Sequence, residues 1–301
     1  MEPSSEAAAA SVHPGQRLLA LLASNKRRVL EAFVAANFAF LVLDIYVAHS
    51  VNEFKNPNEW IPFWFSIVAA LGLVPALLAP RSGYARWGGA LIGWAAIGVG
   101  IAGALFHLES QFFQQMSLQS LVYTAPFAAP LAYAGLGFLL VLNRMLPETA
   151  TQEWSRWVVF FALGGFVGNF ALSLCDHAQN GFFHWTEWIP VAASALAIGF
   201  LTVTLWVSAR AFLAWTAGVL VLQVAVGLLG FVLHVQADVN GISASVVENF
   251  LHGAPVFAPL LFANLAILGG FGVWDLGTTA TPEATAPEAT EPEATAPEAT
   301  T

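Results

Sequence analysis

Long apolar runs without charge constrain this chain more than any other feature. Stretches 60–79, 87–106, 121–143, 188–208 and 211–233 contain no Asp, Glu, Lys or Arg. About 20 such residues in a helix cross the roughly 30 Å hydrocarbon layer of a bilayer. Stretches 30–48, 156–175 and 250–274 are of similar length and character, with Asp44 near the end of the first. The runs are continuous rather than alternating, which excludes a transmembrane β-barrel. Charged residues make up 10% of the chain against 57% apolar, whereas soluble domains carry about 25% charged. A soluble fold would have no polar coat to cover that apolar content. The sequence therefore predicts an all-α integral membrane protein of eight transmembrane helices, with membrane lipid as its main surrounding.

The same composition excludes other classes. One cysteine, Cys175, cannot build a disulfide framework and reads as packing. A net charge of −9, with no basic cluster beyond Lys26-Arg27-Arg28, argues against nucleic-acid binding. Dinucleotide, phosphate-loop and serine-elbow signatures are missing from the sequence.

Charge asymmetry orients the spans. With eight crossings the two ends share a side, and that side holds Arg17, Lys26, Arg27, Arg28, Arg81, Arg86, Arg144, Arg156 and Arg210, leaving only Lys55 opposite. By the positive-inside rule both termini face the cytoplasm, and the chain belongs in an inner (plasma) membrane. Trp60, Trp87, Trp157, Trp188 and Trp274 fall at span ends, where amphipathic rings settle.

The organisation expected from these patterns has four parts. Residues 1–28 form a flexible, basic cytoplasmic segment, within which 17–30 either lies along the inner leaflet or extends the first span. Residues 29–145 and 146–277 each form a four-helix membrane unit. Residues 278–301 repeat Pro-Glu-Ala-Thr every five residues, carry five acids and no large apolar group, and are expected to be disordered.

The two membrane units repeat one another. Glu59-Trp60-Ile61-Pro62 recurs as Glu187-Trp188-Ile189-Pro190. Phe106-His107 matches Leu233-His234, and Tyr123-x-Ala125-Pro126 with Pro130 matches His252-x-Ala254-Pro255 with Pro259, at almost the same offset. In the first span, Asn37-Phe38-Ala39 and Asp44 match Asn169-Phe170-Ala171 and Asp176 at a slightly longer one. The offset drifts only in loops, where insertions and deletions are tolerated. Four spans per repeat keep both copies in one orientation, which implies a pseudo-two-fold axis along the membrane normal.

The repeated polar residues all fall at the non-cytoplasmic ends of spans. Asp44 and Asp176, Glu59 and Glu187, His107 and His234, and Tyr123 and His252 share that layer with His49, His177, His184, Glu109, Asp238 and Glu248. The rest of the membrane interior reads as almost free of ionisable groups. Such groups are costly in lipid unless paired, hydrated or metal-bound, and imidazole with carboxylate is a ligand set for Fe, Cu, Zn or Mn. The expectation is one mixed centre near the pseudo-axis. Its metal ligands are His107, His234, His252, Glu59 and Glu187, with Glu59 or Glu187 as general base and Tyr123 as a supporting hydrogen-bond or redox group. His49 and His184 read as loop residues without repeat partners. The bland alternative is a set of helix caps: Glu at a helix start suits the dipole, and Pro suits the first turn.

Three functions follow from this layer. The first is a metal-dependent membrane protein, an oxidoreductase in its enzymatic form, serving a redox partner or small molecule on the periplasmic side. The second is an electron-transfer subunit with haem b between His107 and His234. The third is a carrier of a metal ion or small solute, disfavoured because carriers bind near the midplane.

Overall fold

A computed structural model describes residues 24–80, 82–146 and 152–279. Expectations for the N-terminal segment up to residue 23, for Arg81 and for the Pro-Glu-Ala-Thr tail from residue 280 lie outside the described residues. All regular structure within them is helical. In chain order the helices are α1 (Lys26–Ser50), α2 (Trp60–Leu78), α3 (Gly83–Glu109), α4 (Phe112–Gln115), α5 (Leu118–Tyr123), α6 (Leu131–Met145), α7 (Gln152–Gln179), α8 (Trp188–Thr204), α9 (Arg210–Val239), α10 (Val246–His252) and α11 (Leu260–Thr279). Single 3₁₀ turns, Pro57–Glu59 and Trp185–Glu187, lead into α2 and α8.

Seven of these helices are long and apolar enough to cross a membrane: α1, α2, α3, α7, α8, α9 and α11, with α2 and α8 counted from their 3₁₀ turns. The chain is a multi-pass membrane protein. The eighth expected span, 121–143, is broken. Its helix α6 has 15 residues, about 22 Å at 1.5 Å per residue. The break has a covalent cause. Pro126 and Pro130 withhold two backbone donors from any continuous helix through this stretch; α5 stops at Tyr123 and Thr124 is extended. The segment expected as 250–274 divides in the same way, into α10, a turn through Pro255 and Pro259, and α11. There the second helix runs on to Thr279, past the expected start of the tail.

The surface is that of a lipid-solvated bundle. Leu71, Leu78, Trp87, Leu91 and Trp215 are each more than 65% exposed. Inside, one apolar cluster joins both halves of the chain, with Val34, Phe38 and Leu73 packed in the same body as Val158, Phe166 and Leu201. Small residues set the closest helix contacts. A Cβ on Gly100 would stand 2.6 Å from Ala134 N and 2.9 Å from Pro130 O. A Cβ on Gly227 would stand 2.8 Å from Pro259 O and 3.1 Å from Ala263 N. The glycine-rich faces of α3 and α9 thus admit the start of α6 and of α11, and these contacts hold each proline turn against its neighbouring helix.

Ionisable groups are also present at the opposite end of the bundle, contrary to the expectation of a nearly charge-free interior. Glu31, 2% exposed, pairs with Arg144. Lys26 Nζ lies 3.1 Å from Asp275 Oδ2 and 5.0 Å from the Trp154 ring centroid, and Ser155 Oγ donates to Asp275 Oδ2 at 2.5 Å. These contacts tie α1 to α6 and to α11. Between α1 and α11, Asn37 and Asn264 exchange side-chain hydrogen bonds at 3.3 and 2.6 Å. Buried charges of this kind persist only when paired.

Candidate functional site

Each half of the chain builds the same small assembly from a helix end, a turn and a helix start. Helix α1 closes at His49, whose carbonyl accepts hydrogen bonds from the amides of Asn52 and Phe54. Glu53 and Phe54 both take positive φ, 57° and 50°, a left-handed pair that folds the chain back over its own helix end. The Phe54 ring then stacks on Trp60 at 4.1 Å and lies 5.9 Å from the His49 ring. In the second half the His177 carbonyl accepts from Asn180 and Phe182, and Gly181 and Phe182 have φ of 71° and 53°. Phe182 stacks on Trp188 at 3.9 Å, with its ring 6.1 Å from that of His177. A phenylalanine in the left-handed region is a strained choice. Here it occurs twice, over the same pair of neighbours.

Below each stack, the returning chain delivers a glutamate. Glu59 ends its 3₁₀ turn at the mouth of α2, and its Oε2 lies 3.7 Å from His49 Nδ1. Glu187 occupies the same place before α8, 3.8 Å from His177 Nδ1. Both separations exceed hydrogen-bond length, and both Oε2 atoms are buried without a hydrogen-bond partner. The third member comes from the end of α3. The His107 ring centre is 6.2 Å from that of His49. His107 Nδ1 donates to the Pro126 carbonyl at 2.9 Å, and His234 Nδ1 donates to the Pro255 carbonyl at 2.9 Å. A carbonyl can only accept, so in each ring Nδ1 carries the hydrogen and Nε2 holds the available lone pair. The proline turns that shorten α6 and delay α11 thus orient these two imidazoles.

The expected residues divide by where the structure puts them. Glu59 lies with His49, and His107 stands beside them; Glu187 lies with His177. His107 and His234 are each held by the proline turn of their own half, not by one another. His252 is exposed at the end of α10, with Nδ1 3.2 Å from the Glu248 carbonyl of its own helix. Tyr123, at the end of α5, is 50% exposed. Asp44 sits five residues before His49, whereas Asp176 directly precedes His177, so the two aspartates occupy different turns relative to the histidines. Among the described residues, no group of three or more His, Cys, Asp or Glu side chains is arranged to hold a metal ion as it stands.

Sequence reasoning places His49 and His177 in the polar layer but outside the ligand set, and it reads His49 as a loop residue, whereas His49 lies in the last turn of α1. They share the offset of the Glu-Trp-Ile-Pro word, and that common register is the signal that could have found them. The longer offset of the match through Asn37 and Asp44 obscures it, because it shifts the first span by one turn.

No protein-family model matches the chain, and neither a curated protein nor a solved structure shows significant similarity to it.

Proposed function

We propose that this chain is an inner-membrane metalloprotein made of two tandem four-helix repeats about a pseudo-two-fold axis along the membrane normal. In this reading each repeat binds one transition metal ion, Fe, Cu, Zn or Mn, at its periplasmic face. The ligands are His49, Glu59 and His107 in the first repeat and His177, Glu187 and His234 in the second. Helices α6 and α11, each preceded by its proline turn, are the fourth spans. The nine-to-one distribution of basic residues supports cytoplasmic termini.

The observation that carries the reading is the twice-repeated gap between imidazole and carboxylate. At 3.7 and 3.8 Å the two groups are at ion-pair distance but too far apart to hydrogen-bond each other. They are close to the spacing of about 3.4 Å between two ligands of one tetrahedral ion with bonds of about 2.1 Å. A buried carboxylate oxygen with no donor is costly, and a cation removes that cost. The Nδ1–H to carbonyl bonds of His107 and His234 are of the kind that fix a ligating histidine. Two histidines and one glutamate leave a fourth position open on a tetrahedral ion, as in sites that perform chemistry rather than brace a fold. A bound ion would supply Lewis acidity or redox exchange there. This supports metal-dependent turnover of a small molecule reaching the site from the periplasm or the outer leaflet, with an oxidoreductase as the leading class.

Metal analysis and an optical spectrum of the full-length protein in detergent test the reading. Two ions per chain are expected, with one lost in His107→Ala and one in His234→Ala. A protein without stoichiometric metal overturns it, and a haem Soret band overturns it in favour of an electron carrier.

A further inference from the structure

The end of the bundle opposite the histidines carries a pocket built by the first half of the chain. Asn25 and Arg28, at the start of α1, line it together with Ala79, Pro80 and Ser82 of the turn from α2 into α3, and its volume is about 420 Å³. Arg28 Nε and Nη2 both donate to the Leu77 carbonyl, at 3.2 and 2.7 Å. That grip on the last turn of α2 fixes the cation at the pocket wall. The turn is closed by the Ser82 amide on the Ala79 carbonyl at 3.0 Å, and Ser82 Oγ caps α3 by accepting from the Ala85 amide at 3.0 Å. Arg86 follows, exposed, one turn into α3.

Positive charge is in excess here. Among the described residues neither Arg28 nor Arg86 forms an ion pair, and Glu31, one turn along α1 from Arg28, is committed to Arg144. Two exposed cations at one corner of the bundle attract an anion. The surroundings favour one with a tail. Trp87, 73% exposed, is of the residue type that settles at headgroup depth. Leu78, beside the pocket residue Ala79, and Leu91, one turn beyond Trp87, are 76% and 72% exposed. A polar pocket at headgroup level thus continues into an apolar outer face, the profile of a phosphate with acyl chains below it.

The second half does not reproduce the charge. In the register that pairs His49 with His177, Glu153 stands where the first half has Asn25, and Arg156 stands where it has Arg28. Arg156 Nη2 donates to Gln152 Oε1 at 3.3 Å, within its own helix. In the register that pairs His107 with His234, Leu213, 5% exposed, replaces Arg86. An acid in place of an amide and an apolar residue in place of a cation weaken the attraction for an anion.

We propose that the pocket between the starts of α1 and α3 binds the phosphate group of an anionic phospholipid, with Arg28 and Arg86 as its cationic contacts, and that the second half has no such site. Native mass spectrometry and thermal unfolding of the delipidated, full-length protein in neutral detergent test it, with phosphatidylglycerol, phosphatidylcholine and inorganic phosphate as probes. The expected result is one tightly held phosphatidylglycerol per chain and a raised Tm. Phosphatidylcholine, whose choline cancels the headgroup charge, and inorganic phosphate, which has no chains, should bind much more weakly. Affinity for phosphatidylglycerol should fall about fivefold in Arg28→Gln and in Arg86→Gln. It should fall at least as far in Asn25→Glu, which installs the second half's acid and keeps the contact of Arg28 with Leu77. Arg210→Gln, exposed at the start of α9, should change nothing. Equal binding of the two lipids, or an equal loss in Arg210→Gln, overturns the proposal in favour of a diffuse attraction to a basic surface. Inorganic phosphate that binds as tightly as phosphatidylglycerol overturns the lipid in favour of a soluble phosphate ligand.

Discussion

Arg144 on α6 donates to Glu31 on α1, in a pair whose side chains are 14% and 2% exposed. Removal of one partner strands the other charge in an apolar interior. Arg144→Met is expected to cost about 3–5 kcal/mol, measured by thermal or denaturant unfolding in detergent. The double substitution Glu31→Leu with Arg144→Met should recover most of that loss, because well-packed apolar residues replace buried ion pairs at little cost. A double variant as unstable as the single one would show that the pair does more than neutralise itself.

The glycine contacts make a second, internally controlled prediction. Gly227→Ala forces a Cβ to within 2.8 Å of the Pro259 carbonyl, whereas a Cβ on Gly98 meets nothing within 4 Å. The first change should destabilise by about 1–3 kcal/mol. Gly98→Ala should be neutral or stabilising by up to about 1 kcal/mol. Unfolding of the two variants side by side checks this, and similar effects would count against the close approach of α9 to α11.

Orientation in the membrane is open to chemical labelling. In a Cys175→Ser background, a membrane-impermeant maleimide applied to intact cells should react with Ile242→Cys, at a fully exposed position in the turn after α9. It should not react with Met145→Cys, 74% exposed at the other end of the bundle. The reverse pattern would place the histidines in the cytoplasm.

The histidines whose Nδ1 faces a glutamate carboxylate should matter more than the others. His49→Ala and His177→Ala are each expected to remove one metal ion per chain, while His252→Ala and His184→Ala leave the content unchanged. Acidification should release the metal in the wild type, because a protonated imidazole has no lone pair for a ligand bond. Metal content measured across pH checks the direction, and retention at acidic pH would exclude histidine ligation.

Much of the scaffold is legible in the sequence, because hydropathy averaged over a span's length reports directly on solvent. The exception, 121–143, is apolar throughout, and averaged hydropathy does not register that Pro126 and Pro130 cut its backbone hydrogen bonding. Glu31 and Asp275 escape notice for a different reason. Their partners, Arg144 and Lys26, are 113 and 249 residues away, and no local pattern announces such a contact. At the candidate site, the repeated words locate Glu59, Glu187, His107 and His234. The left-handed turns that bring His49 and His177 under the phenylalanines depend on backbone angles that Glu53 and Phe54 do not advertise. Only Gly181, in the second of the two turns, is the residue type such a turn favours.

The contact of Lys26 with Asp275 joins the first described helix to the last at one face of the bundle. Among the described residues the first and last helices therefore meet, and their packing does not depend on which is made first. A circular permutant with a short linker between residues 279 and 24, and new ends opened between α6 and α7, should insert and fold. Ends that lie together at a surface are what such rearrangement requires. Its two halves would then be translated in the opposite order, with every contact among the described residues retained.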